Sequence, residues 1–196
     1  MPELHPPLRR ATPADARELA ELVNFAGEGL PLHLWSRMAG PDGDPWETGR
    51  TRQAERAADG RIMVVDLGAG AVAGLTGYPI GPDPVAIGED MPTLFRPLQE
   101  LENLAPSSWY VNVLAAFPDE RGKGYGSMLL GVAEAIARDE GLPRMSIIVA
   151  DTNAGARRLY ERTGYREAAT RPTVHDGWRT HTRNWVLMIK PLGAAA

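Results

Sequence analysis

The chain has 196 residues, a hydrophobic fraction of 43%, a formal net charge of −4 and no cysteine. That length suits one domain with a substantial core, the mild acidity gives no reason to expect nucleic acid or a membrane surface as a partner, and the lack of cysteine excludes disulfides, thiolate catalysis and cysteine metal sites. No stretch is long and apolar enough to span a bilayer, and the start MPELHPPLRR has no apolar signal region, so a cytoplasmic protein is the expectation.

Leu8 to Ala11 reads as a short strand. Thr12, Pro13 and Asp15 announce a helix, with Thr12 as N-cap and Asp15 reaching back. Leu19, Leu22, Val23 and Ala26 give it an apolar face, and Gly27 ends it. Leu32 to Ala39 and Trp46 to Ala58 read as two further helices around the loop GPDGDP. RIMVVD at 61–66 and AVAGLTGYP at 71–79 form a hairpin through Gly68, Ala69 and Gly70. Ile80 to Pro92 is loop, and Thr93 to Leu104 is partly helical. After a helix from Ser127 to Glu140, stopped by Gly141 and Pro143, RMSIIVA at 144–150 is a buried strand. Asp151, Thr152 and Asn153 cap a helix that runs to Thr163. Tyr165 to Val174 and Thr182 to Lys190 make a last strand pair, and Leu192 to Ala196 is a tail expected to fray. A helix crosses between the strand at 109–117 and that at 144–150, so these two run parallel.

The chain is organised around Trp109 to Ser127, WYVNVLAAFPDERGKGYGS. An apolar strand ends at Pro118, a glycine-rich turn follows, and a helix begins. Glycines let backbone N–H groups approach a ligand, and the positive end of the helix dipole faces it. Arg121 and Lys123 add charge, so a phosphate-bearing cofactor is implied. No GxxxxGK[ST] string occurs, and the spacing of Gly122, Gly124 and Gly126 is not the dinucleotide G-x-G-x-x-G.

Arg121, Gly124 and Gly126, preceded by Leu114, Ala115, Ala116, Phe117 and Pro118, resemble the [RQ]-x-x-G-x-[GA] signature of the GCN5-related N-acetyltransferases (GNAT). Asn153, Ala156, Leu159, Tyr160, Arg162, Gly164 and Tyr165 are similar to that family's second motif. The resemblance is motif-specific over 109–165 and topological before it. It implies a single domain over 1–196 of α/β (α+β) class, with a mixed, mostly antiparallel sheet flanked by helices and a splayed parallel central strand pair. It implies acetyl-CoA as co-substrate, no metal, and a small-molecule or peptide amine as acceptor; with the charge and hydropathy above, no nucleic acid and no membrane are expected as partners. A homodimer through the last strands is compatible with it.

The resemblance also implies roles. Arg121, Gly122, Lys123, Gly124, Tyr125, Gly126 and Ser127 would hold the pyrophosphate. The main chain of Leu114, Ala115 and Ala116 would hold the pantetheine, and the Leu114 N–H the thioester oxygen. Asn153 would cap its helix and contact the pantetheine arm, and Tyr160 would protonate the leaving thiolate. Attack by an amine on a thioester needs a neutral amine, a stabilised oxyanion and a proton for sulfur, and a phenol of pKa about 10 can supply that proton at neutral pH. With no cysteine to carry an acetyl group, direct transfer in a ternary complex is expected. The general base stays open among Glu102, Glu89, Asp90, His33 and His175, or ordered water. The acceptor pocket would draw on Phe25, Glu28 and Trp35, with Gly29 and His33 beside them and Arg171, Trp178 and Arg179 opposite. A binding module without chemistry and a transferase of longer acyl groups are the alternatives.

Overall fold

A computed structural model describes residues 3–193 of the chain. They form two compact units, one built from the residues up to Gly77 together with Val113–Gly131, the other from Tyr78–Asn112 together with the residues from Val132 on.

The first unit opens with β1 (Leu8–Arg10). A single 3-10 turn, Pro13–Asp15, leads into α1 (Ala16–Ala26), followed by α2 (Leu30–Ala39) and α3 (Pro45–Ala58). The expected capping box is present: the Thr12 N–H and hydroxyl both donate to Asp15 Oδ2, at 2.8 and 3.1 Å. Asp15 is nearly buried and also takes two hydrogen bonds from the Arg9 guanidinium, at 2.9 and 2.7 Å. Arg9 Nε reaches Asp66 Oδ2 at 2.7 Å, and Asp66 accepts from the N–H groups of Gly68 and Gly70. One guanidinium thus ties β1 to the first helical turn and to the hairpin of β2 (Met63–Asp66) and β3 (Ala71–Ile80). Its hydrogen bonds hold the Asp15 and Asp66 carboxyls below the usual range. Both β1 with β2 and β2 with β3 pair antiparallel, the second pair with a bulge at Val65/Asp66. Leu19, Ala57, Ile62 and Val64 belong to the core beneath.

The second unit holds α4 (Arg96–Glu102), β5 (Arg144–Ala150), α6 (Ala154–Arg162), β6 (Arg166–Pro172) and β7 (Asn184–Pro191). β4 spans Ser108–Ala116 and α5 spans Tyr125–Asp139. β4 pairs parallel with β5 in the register Ser108↔Arg144 to Val111↔Ile147, with the buried hydroxyls of Ser108 and Ser146 2.7 Å apart. β7 inserts between β5 and β6 and is antiparallel to both. Trp185, Val186, Leu187 and Met188 of β7 are buried in sequence, which marks a strand covered on both faces. The strand order is β1-β2-β3-β4-β5-β7-β6, a mixed and mostly antiparallel arrangement with one parallel pair.

Two expectations need correction. α5 starts at Tyr125, because the Met128 N–H donates to the Gly124 carbonyl and closes the first turn two residues earlier than the glycine spacing suggested. Leu192 is buried and its N–H donates to Pro143 O at 2.9 Å, so the expected fray does not reach it; Ala194 to Ala196 lie outside the described residues. Among the described residues no helix is long and apolar enough to cross a membrane.

Candidate active site

In the first unit, Pro118–Glu120 form a 3-10 turn after β4, and Arg121, Gly122, Lys123 and Gly124 stand exposed after it. Gly122 and Gly124 take φ of +78° and +92°, conformations that residues with a Cβ rarely adopt. Gly124 is the N-cap of α5. The N–H groups of Tyr125, Gly126 and Ser127 then occupy the first turn, where a helix offers them no acceptor of its own. Arg121 is held from two sides. Its Nε donates to Ala116 O at 3.2 Å, and its guanidinium lies 5.7 Å from the centroid of the Phe25 ring. Lys123 pairs with Glu120 at 2.9 Å, so part of its charge is already answered, and that bond raises its pKa. Leu114, Ala115 and Ala116 are half-buried at the end of β4.

The residues expected at the acceptor are spread over α1, α2 and the turn between them. Phe25, on α1, packs edge-on against Phe117 at 5.9 Å and lies under the Arg121 guanidinium. It also lines a cavity of about 640 Å³ with Arg17, Glu21, Asn24, Trp46 and Arg50. Trp35 is only 4% exposed and meets Trp46 at 6.0 Å. A Cβ on Gly49 would fall 2.5 Å from its ring, so Trp35 fills the α2–α3 contact. Glu28 sits in the turn after α1 with φ of +52°. The His33 Nε2 is buried without a partner.

In the second unit, the Asn153 side chain accepts from the Ala156 N–H at 3.1 Å and caps α6. Tyr160, the one buried residue of α6, lies 5.8 Å from the ring of Tyr165. Glu102 ends α4 and accepts from the Tyr78 hydroxyl at 3.2 Å. Burial lifts its pKa, and the Tyr78 hydrogen bond only partly offsets this. Tyr78 meets Tyr110 of β4 edge to face at 5.2 Å. The Tyr110 phenol is fully buried, which drives its pKa well up; Glu102, Tyr78 and Tyr160 push the same way, and a hydrogen bond with Asn112 opposes them. Arg171 is engaged by Glu100 at 2.6 Å, and Trp178 stacks on Trp185 at 5.7 Å with its indole N–H buried and unpartnered. Glu89 and Asp90 are exposed, in a loop whose carbonyls accept from Arg96, and His175 is exposed beside Thr173.

The family model described as the Acetyltransferase (GNAT) family matches residues 31–165. The chain belongs to this family. Its fold is shared with mosquito arylalkylamine N-acetyltransferase like 5b, at 17% identity, 94% of this chain and 99% of that one covered, and a TM-score of 0.64. The ribosomal-protein-alanine N-acetyltransferase from Brucella melitensis gives 22%, 94% and 99%, and 0.60. Ard1 from Thermoplasma volcanium gives 14%, 94% and 96%, and 0.59. No curated protein sequence matches the chain.

GNAT acetyltransferases use acetyl-CoA, and the loop of this chain fits a diphosphate: two glycines at positive φ, a helix start with open N–H groups, and a guanidinium fixed beside them. Among the described residues no three His, Asp or Glu side chains gather as a metal site would require. Tyr78 and Tyr110 carry no motif and were not singled out in the sequence. The one available signal was that Tyr110 and Asn112 share a face of β4, two residues apart.

Proposed function

We propose that this GNAT protein transfers the acetyl group of acetyl-CoA directly to a primary amine of a small molecule or peptide, as one catalytic domain over residues 1–196. A cytoplasmic location is part of this reading, since the co-substrate is intracellular. The observation that carries it is the exposed Arg121–Ser127 loop, with Gly122 and Gly124 at positive φ, opening into the start of α5. Its N–H groups and Arg121 hold the pyrophosphate, while the main chain of Leu114, Ala115 and Ala116 holds the pantetheine. The Leu114 N–H receives the negative charge that develops on the thioester oxygen. In support, Leu114 lies beyond the last β4–β5 ladder pair, Val111↔Ile147.

Bound acetyl-CoA supplies an acyl carbon activated by its bond to sulfur. Tyr160 gives the departing sulfur its proton. Asn153 spends its side chain on the α6 cap, and Tyr160 lies two turns further along the same face. The cap therefore positions the phenol.

Initial rates measured with acetyl-CoA and amine varied together are expected to give intersecting double-reciprocal lines. Parallel lines would indicate an acetyl-enzyme and overturn direct transfer. Failure to bind acetyl-CoA by calorimetry would overturn the whole reading.

A further inference from the structure

We propose that the cavity between α1 and α3 binds a flat aromatic carboxylate, its ring against Phe25 and Trp46 and its carboxylate on Arg50, and that the bound ligand is felt at the cofactor loop through Phe25. The site stands apart from the acetyl-transfer reading above; its link to the loop rests on that reading.

The first ground is the cavity itself. Its volume of about 640 Å³ lies within the range of small-molecule pockets, roughly 300–1,000 Å³. Arg17, Glu21, Asn24 and Phe25 recur at helical spacing and give it one face of α1. Trp46 and Arg50, one turn apart, give it a face of α3. Both aromatic walls are braced from outside. Trp46 meets Trp35, which is itself seated over Gly49, and Phe25 packs edge-on against Phe117. A ligand ring therefore meets walls already in place, which lowers the ordering cost of binding.

The second ground is charge. Two guanidiniums, Arg17 and Arg50, and one carboxylate, Glu21, line the cavity, so it favours an anion and disfavours the ammonium form of an amine. Arg17 and Glu21 make a loose pair at 3.9 Å on exposed side chains. Arg50 gives its Nη1 to Glu47 Oε2 at 3.1 Å, and among the described residues nothing accepts from its Nε or Nη2. Glu47 is exposed and stands one turn back on the same helix, so that pair is worth little in water. A planar carboxylate can meet the open edge of Arg50 with two parallel hydrogen bonds. Asn24 uses its side-chain oxygen to accept from the Leu32 N–H at 3.1 Å, which leaves its NH2 group as a further donor.

The third ground is a shared ring. Phe25 lines the cavity, and its centroid lies 5.7 Å from the Arg121 guanidinium. The other hold on Arg121 is a single hydrogen bond, from Nε to Ala116 O at 3.2 Å. A ligand packed on Phe25 restricts the ring beneath Arg121, so the guanidinium is better fixed when acetyl-CoA arrives. By linkage, acetyl-CoA tightens the cavity ligand by the same factor. The aryl carboxylate arrives either as a free effector or as the far end of an acceptor whose amine lies elsewhere.

The probe is 2-naphthoate, with 2-naphthalenemethanol as a control of similar shape and no charge. Calorimetry on the wild type is expected to show 2-naphthoate bound at about millimolar concentration or below, and the alcohol bound about 10-fold more weakly. The Trp46 indole N–H signal, assigned by NMR through Trp46→Phe, should shift with 2-naphthoate. Arg50→Gln is expected to weaken binding by about 10-fold or more. Glu47→Gln frees Arg50 from its competitor and should strengthen binding by about 2-fold. A Trp46 signal indifferent to about 10 mM 2-naphthoate, an alcohol that binds as tightly, or unchanged affinity in Arg50→Gln overturns the site. For the link, saturating acetyl-CoA is expected to tighten 2-naphthoate by about 5-fold, and Phe25→Leu to remove that gain. An affinity for 2-naphthoate that acetyl-CoA leaves unmoved overturns the link while the site stands. On an amine that the wild type acetylates, 2-naphthoate that raises KM alone marks the cavity as the seat of the acceptor's far end, and a changed kcat marks a free effector. A wild type that binds no acetyl-CoA sinks the underlying reading, and the naphthoate titration still decides the cavity.

Discussion

The Arg121–Ser127 loop and the row Glu102–Tyr78–Tyr110–Tyr160 present their polar groups in opposite ways. The loop is contiguous and exposed, and its binding groups are backbone amides; side chains matter there mostly by being absent. The row draws one residue each from α4, β3, β4 and α6. Its polar groups are side chains, and burial raises the pKa of two of them, Glu102 and Tyr110. A diphosphate spreads its charge over several oxygens and is met by several N–H groups at once. A proton must be handed between single atoms, which takes a low-dielectric setting and fixed partners. The first task can be written in seven residues; the second requires the fold.

The contrast breaks most readily at the loop. Gly124→Asp places a carboxylate at the N-cap of α5 and a Cβ at φ of +92°. The space around that Cβ is open, so the damage comes from backbone strain and from charge against phosphate rather than from a clash within the protein. Loss of a charge-assisted hydrogen bond alone is about 1.5–3 kcal/mol, so calorimetry should show acetyl-CoA binding weakened by about 100-fold or more. Normal affinity would mean that the loop does not hold the cofactor. Gly124→Ala, with strain and no charge, should fall between this variant and the wild type.

Next in size is Tyr160→Phe, which should lower kcat by about 100-fold, the ordinary worth of one positioned acid, with acetyl-CoA affinity retained. Unchanged turnover at every pH would remove Tyr160 from the reaction. A smaller effect is expected for Asn153→Ala, which deletes the α6 cap bond: about 1 kcal/mol of stability, read by denaturant unfolding. If kcat falls with it while Asn153→Asp restores both, the cap positions Tyr160 as argued above.

How far the sequence reaches follows the same division. The element order, the parallel β4–β5 pair and the α6 cap were legible because each depends on near neighbours: glycine stops, strand runs, and an Asn before a helix. The start of α5 was misplaced by two residues because glycines at 124 and 126 look alike in sequence. Only the hydrogen bond from Met128 to Gly124 separates cap from helix. Trp35 was expected at the acceptor pocket because the family resemblance puts that pocket after the first helix, where aromatics with a carboxylate suit a cationic amine. Its place is decided by Gly49, fourteen residues on, which leaves room for the ring between two helices. Glu102 could be noticed, but its distinguishing property could not: among the described residues no cation pairs with it as Arg171 of β6 does with Glu100.

The finest distinction is a stability measurement at Glu102, which should respond to pH in the opposite sense to Asp15 and Asp66. Those two carboxyls are depressed in the folded protein, chiefly by hydrogen bonds from Arg9. Their contribution is present above the unfolded carboxylate pKa of about 4, and it is lost as the pH falls through their folded values. Glu102 is raised by burial. Below the unfolded value it is protonated in both states and contributes nothing to the balance. As the pH rises, the unfolded chain releases its proton first, so the folded state binds more protons and stability declines until the folded value is passed. Glu102→Gln stays neutral and can still accept from the Tyr78 hydroxyl. Its Tm should therefore match that of the wild type at about pH 3 and exceed it at about pH 7, while both proteins share the acid-side loss due to Asp15 and Asp66. A variant that tracks the wild type across the whole range would show that Glu102 titrates as an exposed carboxylate does, and burial at Glu102 would then not set the row apart from the loop.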